Sequence, residues 1–186
     1  MAQKHGLKIH VDGARIFNAA IALGVEAKQL LTEADSVSFC LSKGLCAPVG
    51  SLVCGSKDFI DGARRNRKLL GGGMRQAGVL AAAGIVALTE MVDRLVEDHA
   101  NARKLAEGLA GMAELRIDPL GVRTNILYFE LDIPSLDAPA FTRRLAGEGV
   151  RMLPTGPRQI RAVAHHPLTS ADMDAALDAF RRVLAG

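Results

Sequence analysis

The feature that most constrains the fold is a strand–helix–strand pattern near the N-terminus. Residues 7–11 alternate apolar and polar side chains and end at Asp12, which predicts a strand that runs into a loop. Residues 14–23 have helical spacing, and residues 36–41 predict a second strand. Because a helical connection of this length joins parallel strands, the two strands are expected to be neighbours in one sheet. The pattern therefore predicts an α/β fold.

The composition is that of a globular protein and argues against several kinds of partner. Hydrophobic residues make up 49% of the 186 residues and charged residues 23%. The longest uncharged apolar run, residues 77–88, is shorter than the roughly twenty residues of a membrane span. A net charge of +3, 4% aromatic residues and no Trp argue against a nucleic-acid partner. We therefore expect neither a membrane nor a nucleic acid as partner.

The cysteines and histidines do not form a metal-binding pattern. Cys40, Cys46 and Cys54 are odd in number and lack C-x-x-C spacing, which predicts reduced thiols. His165 and His166 are adjacent, and adjacent residues of an extended chain point to opposite sides, which argues against a shared metal ion. No metal is expected. Since no signal-type apolar stretch follows Met1, the expected location is the cytoplasm.

The rest of the chain divides into two parts near residue 112. In the first part, residues 51–55 predict a third strand, and the short loop before it suits an antiparallel neighbour. The predicted helices of this part are 56–70, 74–88 and 91–109. The second part is predicted as a compact α+β unit. Its expected elements are a strand at 125–131, a helix at 138–147, short strands near Arg151 and Ile160, and a helix at 170–184 with Ser170 as N-cap.

Two ionisable residues follow the two parallel strands. Asp12 ends the first strand, and Lys43 comes just after the second. Both are expected on the same edge of the sheet, where open α/β sheets bind ligands. An amine there can form a Schiff base with a carbonyl cofactor, and a carboxylate can pair with a protonated ring nitrogen. The alternative is that Asp12 belongs to an ordinary turn and Lys43 is a solvated strand end.

Several segments carry a resemblance to a known family. They are HVDGAR at 10–15, SVSFCLSKGLCAPVGS at 36–51, GGGMRQAG at 71–78 and RAVAH at 161–165. In order and spacing the first three resemble the low-specificity L-threonine aldolases, which are pyridoxal-phosphate enzymes of the aspartate-aminotransferase fold, type I. The similarity continues through the fourth segment and so extends over essentially the whole chain.

The resemblance is to the C-terminal half of that family. It implies that residues 1–112 are the remainder of the large cofactor-binding domain, mainly parallel sheet with helices, and that residues 113–186 are the small C-terminal domain. The family's other half brings a glycine-rich phosphate cradle and a histidine that stacks on the cofactor ring. Residues 71–73 follow a helix rather than a strand and are a poor substitute for that cradle. We therefore expect the lone chain to be poorly soluble or to depend on a partner.

The resemblance implies roles for five residues. Lys43 would bind pyridoxal phosphate covalently, and Asp12 would keep the ring nitrogen protonated. Arg15 and Arg161 would bind the substrate carboxylate, which suits the planar fork of arginine. Arg75 would reach the cofactor phosphate, across a subunit contact.

Cys46 and His10 lie near these residues in sequence and affect the predicted cofactor site. Cys46 stands where the family usually has glycine, and a side chain there is expected to crowd the cofactor or shift the backbone. His10 precedes Asp12 by two residues, so it lies on the same strand face and is a candidate for supporting the carboxylate.

The implied function is a carbon–carbon lyase that cleaves L-threonine or L-allo-threonine to glycine and acetaldehyde. The implied partners are the small amino-acid substrate and either further copies, a tetramer in the family, or the missing N-terminal half. The alternative is a non-catalytic interaction or assembly fragment that lacks the phosphate cradle. Residues 64–68 are interpreted as a solvated basic face or subunit contact, and residues 77–88 as a buried helix.

Overall fold

The two N-terminal strands are present and parallel. In the computed structural model, which describes residues 1–186 and every side chain except that of Gln3, strand β1 (His10–Asp12) pairs with β2 (Ser36–Cys40). Between them in sequence lie helix α1 (Ile16–Leu23) and a 3-10 turn (Ala27–Leu31). Helix α1 ends at Gly24, whose φ of 66° is left-handed and favours glycine.

Strand β3 (Ser51–Gly55) pairs antiparallel with β2 and completes a sheet in the order β1-β2-β3. The predicted antiparallel neighbour is therefore confirmed. All five residues of β3 are exposed, whereas β2 begins with two buried residues. The third strand consequently leaves apolar side chains in solvent, among them Leu52 and Val53.

Two helices follow the sheet. Helix α2 (Lys57–Leu69) begins at Ser56, whose side chain accepts a hydrogen bond from the Phe59 N–H at 3.3 Å. Helix α3 (Gly78–Glu90) buries only two residues, Gly84 and Ala87. The expectation of a buried helix over 77–88 is wrong for the single chain, because apolar side chains surround α3 while only its side with Gly84 and Ala87 is buried, Ala87 in a core that includes Leu41.

The chain forms two compact units, and the predicted domain boundary near residue 112 stays a prediction. The chain divides into residues 1–95 and 96–186. Helix α4 (Leu95–Ala110) supplies Ala102, Ala106 and Leu109 to the core of the second unit. The change in sequence character near residues 111–119 follows the end of α4, whereas the division between the two units falls at the start of α4.

The second unit is an antiparallel sheet packed against helices. Its strands stand in the order β4-β5-β7-β6, and all three pairings are antiparallel. The elements are β4 (Leu115–Arg116), β5 (Ile126–Leu131), α5 (Ala138–Gly147), β6 (Leu153–Pro154), β7 (Gln159–Val163) and α6 (Ser170–Ala185). All but β4 were expected from the sequence; two residues are too few to show an alternation.

The core of the second unit comes from one face of its sheet and from its helices. Buried Phe129 of β5, Phe141 of α5 and Phe180 of α6 meet there, with ring centroids 5.6 Å apart in both contacts of Phe180. Among the described residues, no helix is long and apolar enough to cross a membrane.

Helix α6 begins at Ser170 as expected, but its N-cap lies one residue earlier than predicted. Thr169, not Ser170, is the N-cap: its hydroxyl accepts from the Asp172 N–H, and the Asp172 carboxylate accepts from the Thr169 N–H at 2.7 Å. The Thr169 hydroxyl also donates to the Asp172 carboxylate at 2.7 Å, and this bond together with the one from the Thr169 N–H lowers the pKa of the Asp172 carboxyl. Ser170 instead accepts a hydrogen bond from Lys104 at 2.8 Å.

Candidate active site

The candidate site lies at the carboxyl edge of the β1–β2 pair. The parallel register places Val11 opposite Val37 and Asp12 opposite Ser38. Strand β1 ends at Asp12, and the chain leaves β2 at Cys40, three residues before Lys43. A carboxylate and a primary amine therefore follow neighbouring parallel strands at the same edge, as the sequence pattern predicted. Both side chains are exposed.

Gly13 holds the loop after Asp12 against the neighbouring strand. Its N–H donates to the Ser38 carbonyl at 2.7 Å. A Cβ at Gly13 would lie 3.1 Å from both the Ser38 carbonyl oxygen and a methyl carbon of Val37, so the close approach favours glycine. The Asp12 carboxylate accepts a hydrogen bond from the Ala14 N–H at 3.2 Å. The direction in which the chain leaves β1 is thereby fixed.

His10 ties β1 to β2 on the strand face that it shares with Asp12. Its Nδ1 lies 2.9 Å from the Ser36 hydroxyl, and its Nε2 lies 3.4 Å from the Ser38 hydroxyl. The ring thus spans two serines that stand two residues apart on β2. The sequence suggested a supporting role for His10. It did not identify the serines, although their i, i+2 spacing on a predicted strand would place both on one face.

The Lys43 loop is held by a buried anchor and a closed turn. Leu41, Leu45 and Ala47 are buried in the core of the first unit. The Lys43 carbonyl accepts from the Cys46 N–H at 3.0 Å, which closes a four-residue turn. The anchor residues lie inside while Lys43 stays exposed, so packing fixes the backbone and leaves the amine accessible.

Cys46 is a non-glycine residue with a positive φ, 60°. The family departure therefore coincides with a backbone that favours glycine: a side chain occupies a left-handed position, which costs about 1–2 kcal/mol. The expected crowding of the cofactor or shift of the backbone stays a prediction. Its sulfur lies 3.5 Å from the Gly44 carbonyl oxygen.

The two remaining candidates of the first unit differ in their placement. Arg15 is the residue before α1 and lies three residues after Asp12, so the short loop carries it near the same edge. Arg75 is exposed in the segment between α2 and α3. Nothing in the described structure brings Arg75 to Asp12 or Lys43, so its role stays a prediction.

The glycines before Arg75 form the C-terminal end of helix α2. The N–H of Gly71 donates to the Lys68 carbonyl at 3.2 Å and that of Gly72 to the Arg67 carbonyl at 2.8 Å. Gly71 has a φ of 81°. This is the pattern of a helix C-terminus, and it agrees with the interpretation that residues 71–73 do not form a phosphate loop.

Arg161 lies in the second unit, on β7. It is half-buried, and its Nε is buried without a hydrogen-bond partner in the part of the chain that the structure describes. A guanidinium nitrogen in this condition suits an added acceptor such as a carboxylate. The carboxylate-binding role therefore fits the surroundings of Arg161, and it too stays a prediction.

The residues present fit one part of pyridoxal phosphate. Lys43 supplies an exposed amine for the aldehyde, and Asp12 supplies a carboxylate for the ring nitrogen at the same sheet edge. The described side chains contain no group of three or more His, Cys, Asp or Glu that could hold a metal ion.

Comparison with known proteins decides the family. The family model for beta-eliminating lyases matches residues 1–132. The chain belongs to this family. It is 50% identical over 184 residues to the probable low-specificity L-threonine aldolase 2 of Arabidopsis thaliana, covering 98% of this chain and 52% of that protein. It is also 53% identical over 128 residues to the low specificity L-threonine aldolase of Escherichia coli K12, covering 68% of this chain and 37% of that protein.

These similarities confirm the resemblance that the motifs indicated. The chain spans about half the length of the curated Arabidopsis relatives that it matches.

Solved structures confirm the fold. A candidate aromatic amino acid beta-eliminating lyase/threonine aldolase from Exiguobacterium sp. 255-15 matches with a TM-score of 0.81 at 18% identity, over 98% of this chain and 54% of that one. A candidate L-allo-threonine aldolase from Listeria monocytogenes EGD-E matches with a TM-score of 0.80 at 15% identity. The chain therefore has the fold of the corresponding half of these proteins.

The backbone at Cys46 gives the first prediction. Replacing Cys46 with glycine is expected to raise the free energy of unfolding by about 0.5–1 kcal/mol, since relief of the left-handed strain exceeds the entropy that glycine loses on folding. Cys46→Ala keeps a Cβ and is expected to give no such gain. Urea denaturation of the three proteins measures the difference. Equal stabilisation by glycine and alanine would assign the effect to the thiol and contradict the strain.

Proposed function

We propose that this chain carries the lysine half of a pyridoxal-phosphate site and belongs to a carbon–carbon lyase acting on L-threonine and L-allo-threonine. The observation that supports it is the parallel β1–β2 register, which puts Asp12 and the Lys43 loop at one sheet edge. The named relatives support the substrate class, since several are low-specificity L-threonine aldolases.

Lys43 and Asp12 would bind different parts of the cofactor. Lys43 Nζ is the nucleophile that would bind the cofactor aldehyde, and the closed turn from Lys43 to Cys46 keeps it at the sheet edge. The Asp12 carboxylate would retain a proton on the ring nitrogen. When bound, pyridoxal phosphate supplies an electron-accepting ring that stabilises negative charge at the substrate Cα.

The substrate is held by its carboxylate and cleaved between Cα and Cβ. The family pattern assigns the carboxylate to Arg15 and Arg161, whose guanidinium groups suit bidentate pairing. Removal of the β-hydroxyl proton makes the Cβ–O bond a carbonyl while the Cα–Cβ bond breaks, which releases acetaldehyde from threonine. Protonation at Cα then yields glycine. Lys43 Nζ, when it is not bound to the cofactor, would be a free base at this edge that could take up the β-hydroxyl proton and return it to Cα.

Covalent trapping tests this function. The full chain with pyridoxal phosphate is expected to turn yellow and, after borohydride reduction, to carry the label on the peptide that contains Lys43. Lys43→Ala is expected to remain unlabelled, while Lys4→Ala, which removes another exposed lysine of the first unit, behaves like the parent. Peptide mapping by mass spectrometry reads the position. A label on a different lysine, or none at high cofactor concentration, would count against an autonomous site.

A second candidate function is an assembly fragment without catalysis of its own. The exposed surface of the first unit favours it: every residue of β3 is exposed, and on α3 Val79 is 81% and Ile85 63% exposed. Exposed apolar patches of this kind mark interaction sites. The partner that fits is a polypeptide corresponding to the N-terminal half of the relatives, since the chain matches only about half of their length.

Reconstitution separates the two functions. The chain is expected to form a stable complex with the N-terminal half of the Arabidopsis relative, detected by size-exclusion chromatography with light scattering. Ile85→Asp is expected to weaken the complex at least about tenfold, because it would bury an unpaired carboxylate. Leu120→Asp, at an exposed apolar position of the second unit, is the control. No association in the parent would contradict the assembly function.

A further inference from the structure

Arg161 occupies the centre of a three-residue row on the exposed face of the second unit's sheet. In the strand register it lies opposite Tyr128 of β5 on one side and opposite Leu153 of β6 on the other. Directly opposed residues of antiparallel strands share a face, with their Cβ atoms about 4.5–5.5 Å apart. The next residues along β7, Ile160 and Ala162, are buried on the core face. Arg161 therefore stands between a phenol ring and a branched aliphatic side chain.

The two flanking side chains are large and exposed, while the arginine between them is half-buried. Tyr128 is 50% and Leu153 56% exposed. Arginine lays its aliphatic stem along apolar neighbours, and its planar guanidinium stacks on aromatic rings. A row with a bulky side chain on each side therefore restricts the conformations of Arg161.

The acidic groups at the end of β5 lie beside Arg116: Glu130 stands opposite it in the strand register, and Asp132 binds it. Asp132, which follows β5, accepts a hydrogen bond from Arg116 at 2.7 Å and lies 4.0 Å from Arg158. The Arg116 guanidinium beside it lowers the pKa of the Asp132 carboxyl. For Arg161, by contrast, the described residues provide no ion pair, and its Nε is buried without an acceptor. The row therefore holds a cation that no described acidic side chain pairs with.

We propose that Tyr128 and Leu153 are positioning residues that hold the Arg161 guanidinium ready for the carboxylate of the amino-acid substrate. This inference rests on the proposed function, in which Arg161 binds that carboxylate. Bidentate pairing requires the plane of the fork to match the plane of the carboxylate. The Tyr128 ring fixes that plane, and Leu153 shields the aliphatic stem from water. Neither residue touches the reacting atoms.

The first readout is the motion of Arg161 itself. In the 15N-labelled full chain, the Nε–Hε resonance of Arg161 is assigned by its loss in Arg161→Lys. Tyr128→Ala is expected to speed exchange of this proton with water about tenfold, because removal of the ring opens the site. Tyr128→Phe keeps the ring and is expected to match the parent. The Nε–Hε group of Arg116 is the internal control, and the backbone amide spectrum shows that each variant is folded.

The second readout is carboxylate binding. L-threonine, added with pyridoxal phosphate, is expected to shift the Arg161 resonance in the parent and to bind severalfold more weakly in Tyr128→Ala and Leu153→Ala. Unchanged exchange and unchanged affinity in both folded variants would overturn the positioning role. If exchange responds to the variants but L-threonine leaves the parent resonance unmoved, the row still orders Arg161. In that case the carboxylate role, and this part of the proposed function, is overturned.

Discussion

The parallel pairing of β1 with β2 is the constraint on which the candidate site depends. Parallel strands deliver their carboxyl ends to one edge, so the residues that follow them meet there whatever their distance in sequence. The Gly13 N–H, 2.7 Å from the Ser38 carbonyl oxygen, and the His10 ring between Ser36 and Ser38 lock this edge. The buried Leu45 does the same for the Lys43 loop. Backbone topology therefore determines where the candidate residues lie.

Much of the fold could be predicted from the sequence because periodicity reports local structure. The alternation at residues 7–11 and 36–41 and the helical spacing of 138–147 correspond to elements that the structure contains. Features that depend on tertiary contacts could not be read in this way. The division after Leu95 and the exposure of α3 depend on which helix faces pack against other elements. A run of apolar residues has the same sequence pattern whether its helix is buried or exposed.

The candidate site also contains residues that local sequence patterns predict and residues that they do not. Asp12 and Lys43 were predictable because their strands carry them to a common edge, and the motif at Cys46 flagged a position whose φ of 60° indeed favours glycine. Arg75 and Arg161 come only from the family pattern, since their positions depend on segments far apart in the chain. Tyr128 gave no sequence signal. Its relation to Arg161 appears only in the register of β5 and β7, which alternation does not specify.

The central claim, that Asp12 and Lys43 form one cofactor edge, is tested most directly by the protonation state of the bound ring. Pyridoxal phosphate labelled with 15N at the ring nitrogen is added to the full chain and to Asp12→Asn, and the 15N chemical shift is recorded after the label is fixed on Lys43. The account predicts a protonated nitrogen in the parent and an unprotonated one in the variant. The same chemical shift in both proteins would show that Asp12 does not reach the cofactor held by Lys43, and would contradict the account.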